Sequence, residues 1–334
     1  STLFPYTTLF RSNVQNYVSI TSFLFNNLFI LLLGFNYIKL NCNKMKENNL
    51  KKSFVIRDTL LKLGVIKDEN VEIFSKNTRD RDNIIVYRDN KSKVIFIDEH
   101  YVGNDEYQSG QYREDINNGN LEDVLDVKRR WENYKHFAID KNIVDYGCGN
   151  GNFLRVANDY VKSLYGIEIQ KDYNKQINQS GIECLFNMNT IKDIDTFFLF
   201  HCLEHLPDPL DTLKQIHAKL IDGGNIIIEV PHAKDFLIDQ LDSFKDFTLW
   251  SQHLVLHTRE SLNLLLLEAG FRNIHITGVQ RYGLANHLEW LKNNKPGGHT
   301  KPLSIIETDN LKNAYADALS KLDANDTLVA IATT

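Results

Sequence analysis

The segment Lys141–Leu154, which reads KNIVDYGCGNGNFL, contains the pattern that decides the fold. Its apolar residues Ile143 and Val144 lead into the acidic residue Asp145, after which three glycines alternate with other residues. An apolar run, a glycine-rich turn and an amphipathic stretch are the order expected of a buried strand, a tight loop and a helix. Glycine is used where the backbone takes positive φ angles or approaches a bound molecule closely, so the loop predicts a ligand site.

Strands and helices alternate on the C-terminal side of this loop. Strands are predicted at 143–146, 163–168, 182–186, 196–202 and 225–230, separated by helices at 151–160, 172–179 and 208–220. Further elements are predicted at 259–269, 274–278, 286–292, 308–322 and 327–332. The alternation predicts an α/β fold with a doubly wound, mostly parallel sheet. Ligands of such sheets bind beyond the carboxyl ends of the strands, where the strand order reverses.

Length and composition exclude several function classes. The chain has 334 residues, of which 43% are hydrophobic and 24% charged, and its formal net charge is −5. These values are typical of a globular protein and give no basic footprint for nucleic acid, so no nucleic-acid partner is expected. The four cysteines form no C-x-x-C pair, which argues against a disulfide framework or zinc ribbon and favours the reducing cytoplasm.

Four segments are predicted along the chain. They are a non-native leader (1–44), a small accessory module with a β-hairpin (45–118), a nucleoside-binding core (119–278) and a C-terminal cap (279–334). Residues 2–12, TLFPYTTLFRS, resemble a translated sequencing-adapter oligonucleotide, which suggests a leader foreign to the protein. The alternative for this segment is a membrane anchor, because residues 13–40 include an apolar stretch of sufficient length. No membrane contact is expected for residues 45–334.

The spacing of the loop glycines discriminates between two ligands. Gly147, Gly149 and Gly151 form G-x-G-x-G, and Asn152 stands where a dinucleotide-binding loop has its third glycine. This spacing favours a nucleoside whose charged end is an ammonium and a carboxylate, with Asp145 receiving the ammonium. Glu168 ends the second strand about twenty residues after the loop, a position from which a carboxylate binds ribose hydroxyls.

Three stretches together resemble class I S-adenosylmethionine-dependent methyltransferases of the branch that acts on small molecules: IVDYGCGNGNF, YGIEI and FLFHCLEHLPDPLDTLKQIHAKLIDGGNIIIEVPH. The resemblance spans residues 140–275 and implies a Rossmann-like methyltransferase core with S-adenosylmethionine as cofactor. It also implies methyl transfer to O, C or N of a small acceptor, such as a sugar or polysaccharide precursor or a quinone-like compound. The residues expected at the cofactor are Asp145, Gly147, Cys148, Gly149, Gly151, Glu168, Asn187 and His201.

Three histidines follow the fourth and fifth strands and are the predicted catalytic residues. His201 and His205 come after the fourth strand, and His232 comes after the fifth. Both strand ends face the same crevice of a doubly wound sheet, so these side chains are expected around the transferred methyl. An imidazole with an ordinary pKa near ~6.5 suits removal of a proton from the acceptor.

Two histidine pairs, His201/His205 and His253/His257, also have the i, i+4 spacing of metal ligands on a helix. Pro207 and Pro209 disfavour a long helix from residue 201, which argues against a metal site at the first pair. The pair His253/His257 is expected to position the helix that begins after Thr258. No metal site is therefore predicted.

Several aromatic and polar residues outside the core are candidates for the acceptor side. Contact with the acceptor or a surface connection is expected for Arg281, Tyr282 and His287. Core packing or the opposite wall of the acceptor site is expected for Tyr101, Tyr107 and Tyr112. Two other functions remain open from sequence: an NAD-dependent oxidoreductase, which Asn152 disfavours, and a non-catalytic nucleoside-binding module.

Overall fold

The computed structural model describes residues 55–98, 100–109 and 121–334, all of which belong to one compact unit that spans 50–334. The predicted leader, Tyr112 and part of the predicted accessory module lie outside these described residues. None of the helices in the described part of the chain combines the length and apolar character that a bilayer span requires.

The N-terminal part of the described chain forms a small antiparallel sheet. Helix α1 covers residues 55–62, and strands β1 (Val71–Ser75), β2 (Val86–Asp89) and β3 (Ile95–Ile97) follow. The predicted hairpin is confirmed, because β2 and β3 pair antiparallel. The fourth strand, β9 (Val255–Leu256), pairs with β3 and comes from the segment predicted as core. The accessory segment and the core therefore share a sheet.

The main sheet has seven strands in the order β10-β11-β8-β7-β4-β5-β6. Their bounds are β4 (Asn142–Tyr146), β5 (Ser163–Ile167), β6 (Glu183–Leu185), β7 (Ile194–Phe200), β8 (Leu220–Pro231), β10 (Arg272–Val279) and β11 (Thr327–Thr333). Strand β11 runs antiparallel to β8 and β10, and the pairs from β8 to β6 are parallel. The predicted doubly wound α/β fold is confirmed. The chain moves outward from β4 to β6 and returns to β7, so the strand order reverses between β4 and β7.

Helices cover both faces of this sheet. They are α2 (Asn104–Ser109), α3 (Leu121–Tyr134), α4 (Asn152–Ala157), α5 (Lys171–Gln179), α6 (Pro209–His217), α7 (Asp242–Thr248), α8 (Arg259–Ala269), α9 (Leu284–Asn293) and α10 (Asp309–Lys321). The N-cap residue Asp208 accepts a hydrogen bond from the Asp211 amide at the start of α6. Thr258 and Ser261 form a capping box on α8, which ends as predicted before Gly270.

The central strands are apolar on both faces. Val144 of β4 and Phe197 of β7 belong to the cluster that includes the apolar sides of α6 and α8. Their chain neighbours Ile143 and Phe198 belong to the opposite cluster, with α3 and α4. Successive residues of a strand point to opposite faces, which explains the continuous apolar runs of these strands. Each such side chain stabilises the fold by about 1.5–3 kcal/mol through burial.

Two helices end earlier in the structure than predicted, and the C-terminal segment has a role that was not predicted. Helix α4 ends at Ala157 rather than at residue 160, and α6 ends at His217 rather than at 220. Strand β8 already begins at Leu220, but its pairing with β7 jumps to Asn225, so residues 221–224 form a bulge with Gly223 at φ 73°. The segment predicted as a cap also contributes β11 to the interior of the main sheet.

Candidate active site

The loop between β4 and α4 requires glycine at three positions. The φ angle is 76° at Gly147, 55° at Gly149 and 76° at Gly151, in the left-handed region that residues with a Cβ avoid. A Cβ on Gly147 would also lie 2.4 Å from the Sγ atom of Cys202. The amide of Gly147 donates to the carbonyl of Ile167 at 2.8 Å, which ties the loop to the end of β5.

The carboxylate of Glu168 is bonded directly to this loop. Its Oε2 atom accepts a hydrogen bond from the amide of Gly149 at 2.8 Å, and its Oε1 atom accepts one from the amide of Gln170 at 2.7 Å. Carboxylate oxygens accept hydrogen bonds from hydroxyl groups as well as from amides. The glycine loop and the acidic residue, which the sequence predicted to act together, are therefore neighbours in the structure.

A cavity of about 480 Å³ opens at the carboxyl ends of β4, β5 and β7. One side of it is formed by Gly147, Glu168 and Ile169. The remaining lining is mainly aromatic and polar, and includes Tyr101, Asn104, Tyr107, Tyr146, His201, Cys202, His205, Thr212, Trp250 and Gln252. The described lining contains no lysine or arginine. The cavity therefore suits an uncharged ligand portion with ring faces and hydrogen-bonding edges.

A second cavity of about 140 Å³ shares Gly147 with the first and is lined by Arg130, Asp145, Gly149 and Phe200, among others. Asp145 is 3% exposed, and this burial raises its pKa to about 7 in spite of the opposing charge of Arg130. The Nε atom of Arg130 donates to Glu229, while its two terminal nitrogens have no hydrogen-bond partner among the described residues. The small cavity thus offers a carboxyl group and a guanidinium to a ligand end that carries both charges.

Arg130 is held in place by a buried ionic network around Glu229 of β8. The two carboxylate oxygens of Glu229 accept hydrogen bonds from Arg129 at 2.9 Å each, and Arg130 donates at 2.8 Å. The hydroxyl of Tyr134 donates to Glu229 at 3.1 Å. Burial alone would raise the pKa of Glu229, but Arg130 and Arg129 lower it to about 2. The network fixes α3 against the end of β8.

His201 follows β7 directly and has a backbone φ of 51°, a rare conformation for a residue other than glycine. Its Nε2 atom lies 3.2 Å from Arg281 Nη1. A guanidinium only donates, so Nε2 is the acceptor and the proton of the neutral ring is on Nδ1. Burial, followed by the charges of Arg281 and Arg130, holds the pKa of His201 well below 6.5. Arg281 also donates through Nε to Asp126 at 2.9 Å.

Glu204, His205 and His253 form a second polar group beside the large cavity. Glu204 is fully buried, and neither of its carboxylate oxygens has a hydrogen-bond partner among the described residues. The nearest imidazole nitrogen, His201 Nδ1, lies 3.3 Å from Oε1 outside hydrogen-bond geometry. Burial raises the pKa of Glu204 to about 8. His205 lines the cavity, with its ring centroid 5.0 Å from that of His253.

Three predicted site residues lie away from both cavities. His232 is buried, and its Nδ1 lies 3.0 Å from the carbonyl of Asn325, because β11 pairs along β8 as far as Pro231 and brings the preceding loop over the histidine. Asn187 is exposed and accepts from the amide of Asn189 at 3.1 Å. At Gly151 an added Cβ would lie 2.8 Å from Ile177, which indicates a packing role.

The other predicted residues are divided among cavity and core. Cys148 and Gly149 line the small cavity. Tyr101 and Tyr107 are buried and also line the large cavity, so these two tyrosines form both core packing and a wall of the site. His287 is buried against Tyr315, whose hydroxyl lies 2.7 Å from its Nδ1. The sequence predictions omitted Arg130 and Trp250.

Comparison with known proteins gives a matching family model and several relatives of low identity. Residues 124–276 match the family model described as a methyltransferase domain. A tRNA U34 carboxymethyltransferase from Pasteurella multocida is 24% identical over 188 residues, which cover 49% of this chain and 58% of that protein. The protein of the same description from Nautilia profundicola is 28% identical over 176 residues, which cover 48% and 58%. The chain thus spans less than two thirds of the length of these relatives.

Among solved structures, a SAM-dependent methyltransferase from Archaeoglobus fulgidus has a TM-score of 0.47 and 19% identity, and the match covers 67% of this chain and 98% of that one.

Proposed function

Residues 124–276 match the family model of a methyltransferase domain, and from that premise we propose that the chain uses S-adenosylmethionine as methyl donor and methylates an uncharged small molecule containing a planar ring. The two cavities that meet at Gly147 support this proposal most directly. Their chemistry matches the two ends of the donor, because one offers a carboxylate for ribose hydroxyls and the other offers paired charges for an amino-acid zwitterion.

The donor is proposed to lie across the glycine loop. Glu168 accepts hydrogen bonds from the ribose hydroxyls, with Ile169 beside the nucleoside in the large cavity. In the small cavity, Arg130 binds the carboxylate of the methionine end and Asp145 binds its ammonium. When bound, S-adenosylmethionine supplies an electrophilic methyl group on a sulfonium. The residues of the chain position this group and bind the acceptor.

The acceptor is proposed to occupy the part of the large cavity formed by Tyr107, Trp250 and Gln252. Aromatic side chains provide faces for a planar ring, and the amide group provides hydrogen bonds at its edge. An anionic acceptor is disfavoured because the described lining has no lysine or arginine. A quinone-like compound, reduced to carry a hydroxyl, fits this chemistry better than a phosphorylated sugar precursor.

His205 is the predicted catalytic histidine whose position best suits contact with the acceptor, because it lines the large cavity. Its Nδ1 lies 3.0 Å from the carbonyl of Gln252, which only accepts, so the proton is on Nδ1 and the Nε2 lone pair is the basic one. The corresponding atom of His201 is engaged by Arg281, so we propose a positioning role for His201.

The affinity for S-adenosylhomocysteine is expected to have its maximum above about pH 7 and to decline on both the acidic and the alkaline side. The raised pKa of Asp145, about 7, means that the unliganded carboxyl becomes protonated below that pH and loses its attraction for the ligand ammonium. On the alkaline side the α-amino group of the ligand itself loses its proton, at a pH above the value of ~8 that applies to a polypeptide terminus. Calorimetry across the pH range should show both limbs for the wild type. Asp145→Asn should retain only the alkaline limb, and an unchanged acidic limb in this variant would contradict the assignment.

Methyl transfer is tested with S-adenosylmethionine labelled on its methyl group and a cell extract divided into small molecules, RNA and protein. The label is expected in the small-molecule fraction. Gly149→Arg should abolish transfer, because it places a large cationic side chain at a loop position with φ 55° that lines the small cavity. Gly181→Arg is the matched control, since Gly181 also has a positive φ but an added Cβ would meet nothing within 4 Å.

Label in the RNA fraction would replace the proposed acceptor by a nucleobase. The names of the matched relatives make this the main competing acceptor, and an aromatic cavity also suits a base extruded from its stack. The net charge of −5 favours the small molecule. Label in neither fraction would contradict both acceptors.

A further inference from the structure

We propose that Glu204, His205 and His253 bind a divalent transition-metal ion at the edge of the large cavity. One carboxylate oxygen and one nitrogen from each imidazole all lie within 4.8 Å of one another. Glu204 and His205 belong to the short turn after β7, and His253 belongs to the loop before β9. The amide of Leu254 donates to the carbonyl of Glu204 at 2.8 Å, which fixes these two segments side by side.

The strongest indication is the lack of hydrogen-bond partners at the centre of this group. Both oxygens of the fully buried Glu204 and the Nδ1 atom of His253 lack a hydrogen-bond partner among the described residues. A buried polar atom without a partner costs about 1–3 kcal/mol, and more for a charged group. A cation bound between the Glu204 carboxylate and the two imidazoles would give these buried atoms a partner.

The ring of His205 is held as metal-binding histidines are usually held. His205 Nδ1 lies 3.0 Å from the carbonyl of Gln252, so it carries the proton and Nε2 carries the lone pair. The Nδ1 atom of His253 is buried and has no hydrogen-bond partner among the described residues, so this ring nitrogen is available to a ligand. A ring whose one nitrogen donates to a carbonyl, as in His205, is the usual arrangement of a metal-binding histidine.

The ligand set indicates the class of ion. Two imidazoles and one carboxylate suit zinc or another first-row divalent ion, whereas calcium and magnesium prefer oxygen ligands throughout. Three protein ligands leave at least one coordination position open. Of the three residues, His205 also lines the large cavity, which places the proposed site at the edge of that cavity. With an ion bound, the Nε2 lone pair of His205 is a ligand, so His205 would no longer act as a base towards the acceptor. A role of the ion in binding an acceptor oxygen rests on the proposed function, but metal binding itself does not.

The inference differs from the sequence prediction, which considered only the i, i+4 histidine pairs. His257, the expected partner of His253, is 1% exposed, with its Nδ1 atom 3.0 Å from the hydroxyl of Ser261 on α8. The proposed site instead combines residues about fifty positions apart in the sequence, which the fold brings together.

The test is metal binding by the full chain without an affinity tag. Metal content is measured by mass spectrometry after purification without chelator, and the chelator-treated protein is then titrated with Zn²⁺ and with Mn²⁺ by calorimetry. One site per chain is expected. His253→Ala and Glu204→Gln should lower the zinc affinity at least ~100-fold, because loss of a mere supporting residue already costs 10–100-fold. His275→Ala, at an exposed histidine on β10, is the control and should bind as the wild type does.

Two further readouts keep folding and the donor site separate from metal binding. Co²⁺ should give visible d–d absorption with the wild type and not with His253→Ala, whose fold is checked by its melting temperature. Binding of S-adenosylhomocysteine to the metal-free chain tests the donor pocket independently. A wild type that binds no metal, or a His253→Ala variant with wild-type zinc affinity, would overturn the metal site. Loss of nucleoside binding alone would overturn only the proposed function.

Discussion

Glu168→Ala is expected to lower the affinity for S-adenosylhomocysteine by about 3 kcal/mol, or roughly 100-fold, because it removes two charge-assisted hydrogen bonds to the ribose. The variant also removes the acceptor for the Gly149 and Gln170 amides, so its melting temperature must be recorded beside its affinity. Glu183→Ala, at an exposed position on the neighbouring strand β6, is the control and should leave the affinity unchanged.

Adenosine distinguishes the two ends of the donor pocket. Glu168→Ala should weaken adenosine and S-adenosylhomocysteine alike, because both contain the ribose. Arg130→Gln should weaken S-adenosylhomocysteine by about tenfold and leave adenosine unaffected, because only the former has the carboxylate that Arg130 is proposed to bind. If Glu168→Ala binds S-adenosylhomocysteine as tightly as the wild type, the ribose assignment is wrong.

Glu229→Ala is expected to lower the free energy of unfolding by about 3–5 kcal/mol, the cost of removing one partner from a buried ion pair. The variant leaves Arg129 and Arg130 without the carboxylate to which both donate. Urea unfolding followed by circular dichroism measures the effect. Glu268→Ala is the matched control, since Glu268 pairs with Lys62 at 3.2 Å on the surface and should contribute less than about 1 kcal/mol.

The same variant should also change the response to acid. In the wild type the pKa of Glu229 is lowered from 4.5 to about 2 on folding, so its stabilising contribution is present above about pH 4.5 and is lost as the pH falls towards 2. Glu229→Ala should lack this component of acid destabilisation. A change in unfolding free energy below ~1 kcal/mol at neutral pH would show that the network does not stabilise the fold.

The fold was largely predictable because its strongest signals are local. The apolar runs of β4, β7 and β8 are buried on both faces, which makes these strands recognisable in sequence. The cap at Thr258 and the glycine after Ala269 marked both ends of α8. The position of β11 was not predictable, because a final strand has no sequence feature that specifies insertion between β8 and β10.

The donor side of the site was more accessible to sequence reasoning than the acceptor side. The glycine loop and Glu168 are about twenty residues apart, and their spacing is a recognised pattern. Arg130 was missed because it acts with Glu229, a residue 99 positions away, and adjacent arginines in a charged helix are ordinarily solvated. His232 was misplaced because the prediction assumed that the end of β8 is open, whereas the C-terminal segment covers it.

The most direct test of the account is calorimetry of the unmodified chain with S-adenosylhomocysteine and, separately, with NADH. The two cavities that meet at Gly147 predict one binding site per chain for S-adenosylhomocysteine and no measurable heat with NADH, whose pyrophosphate would meet the buried carboxyl group of Asp145. Binding of NADH, or no heat with S-adenosylhomocysteine, would contradict the central claim that this loop binds a sulfonium nucleoside.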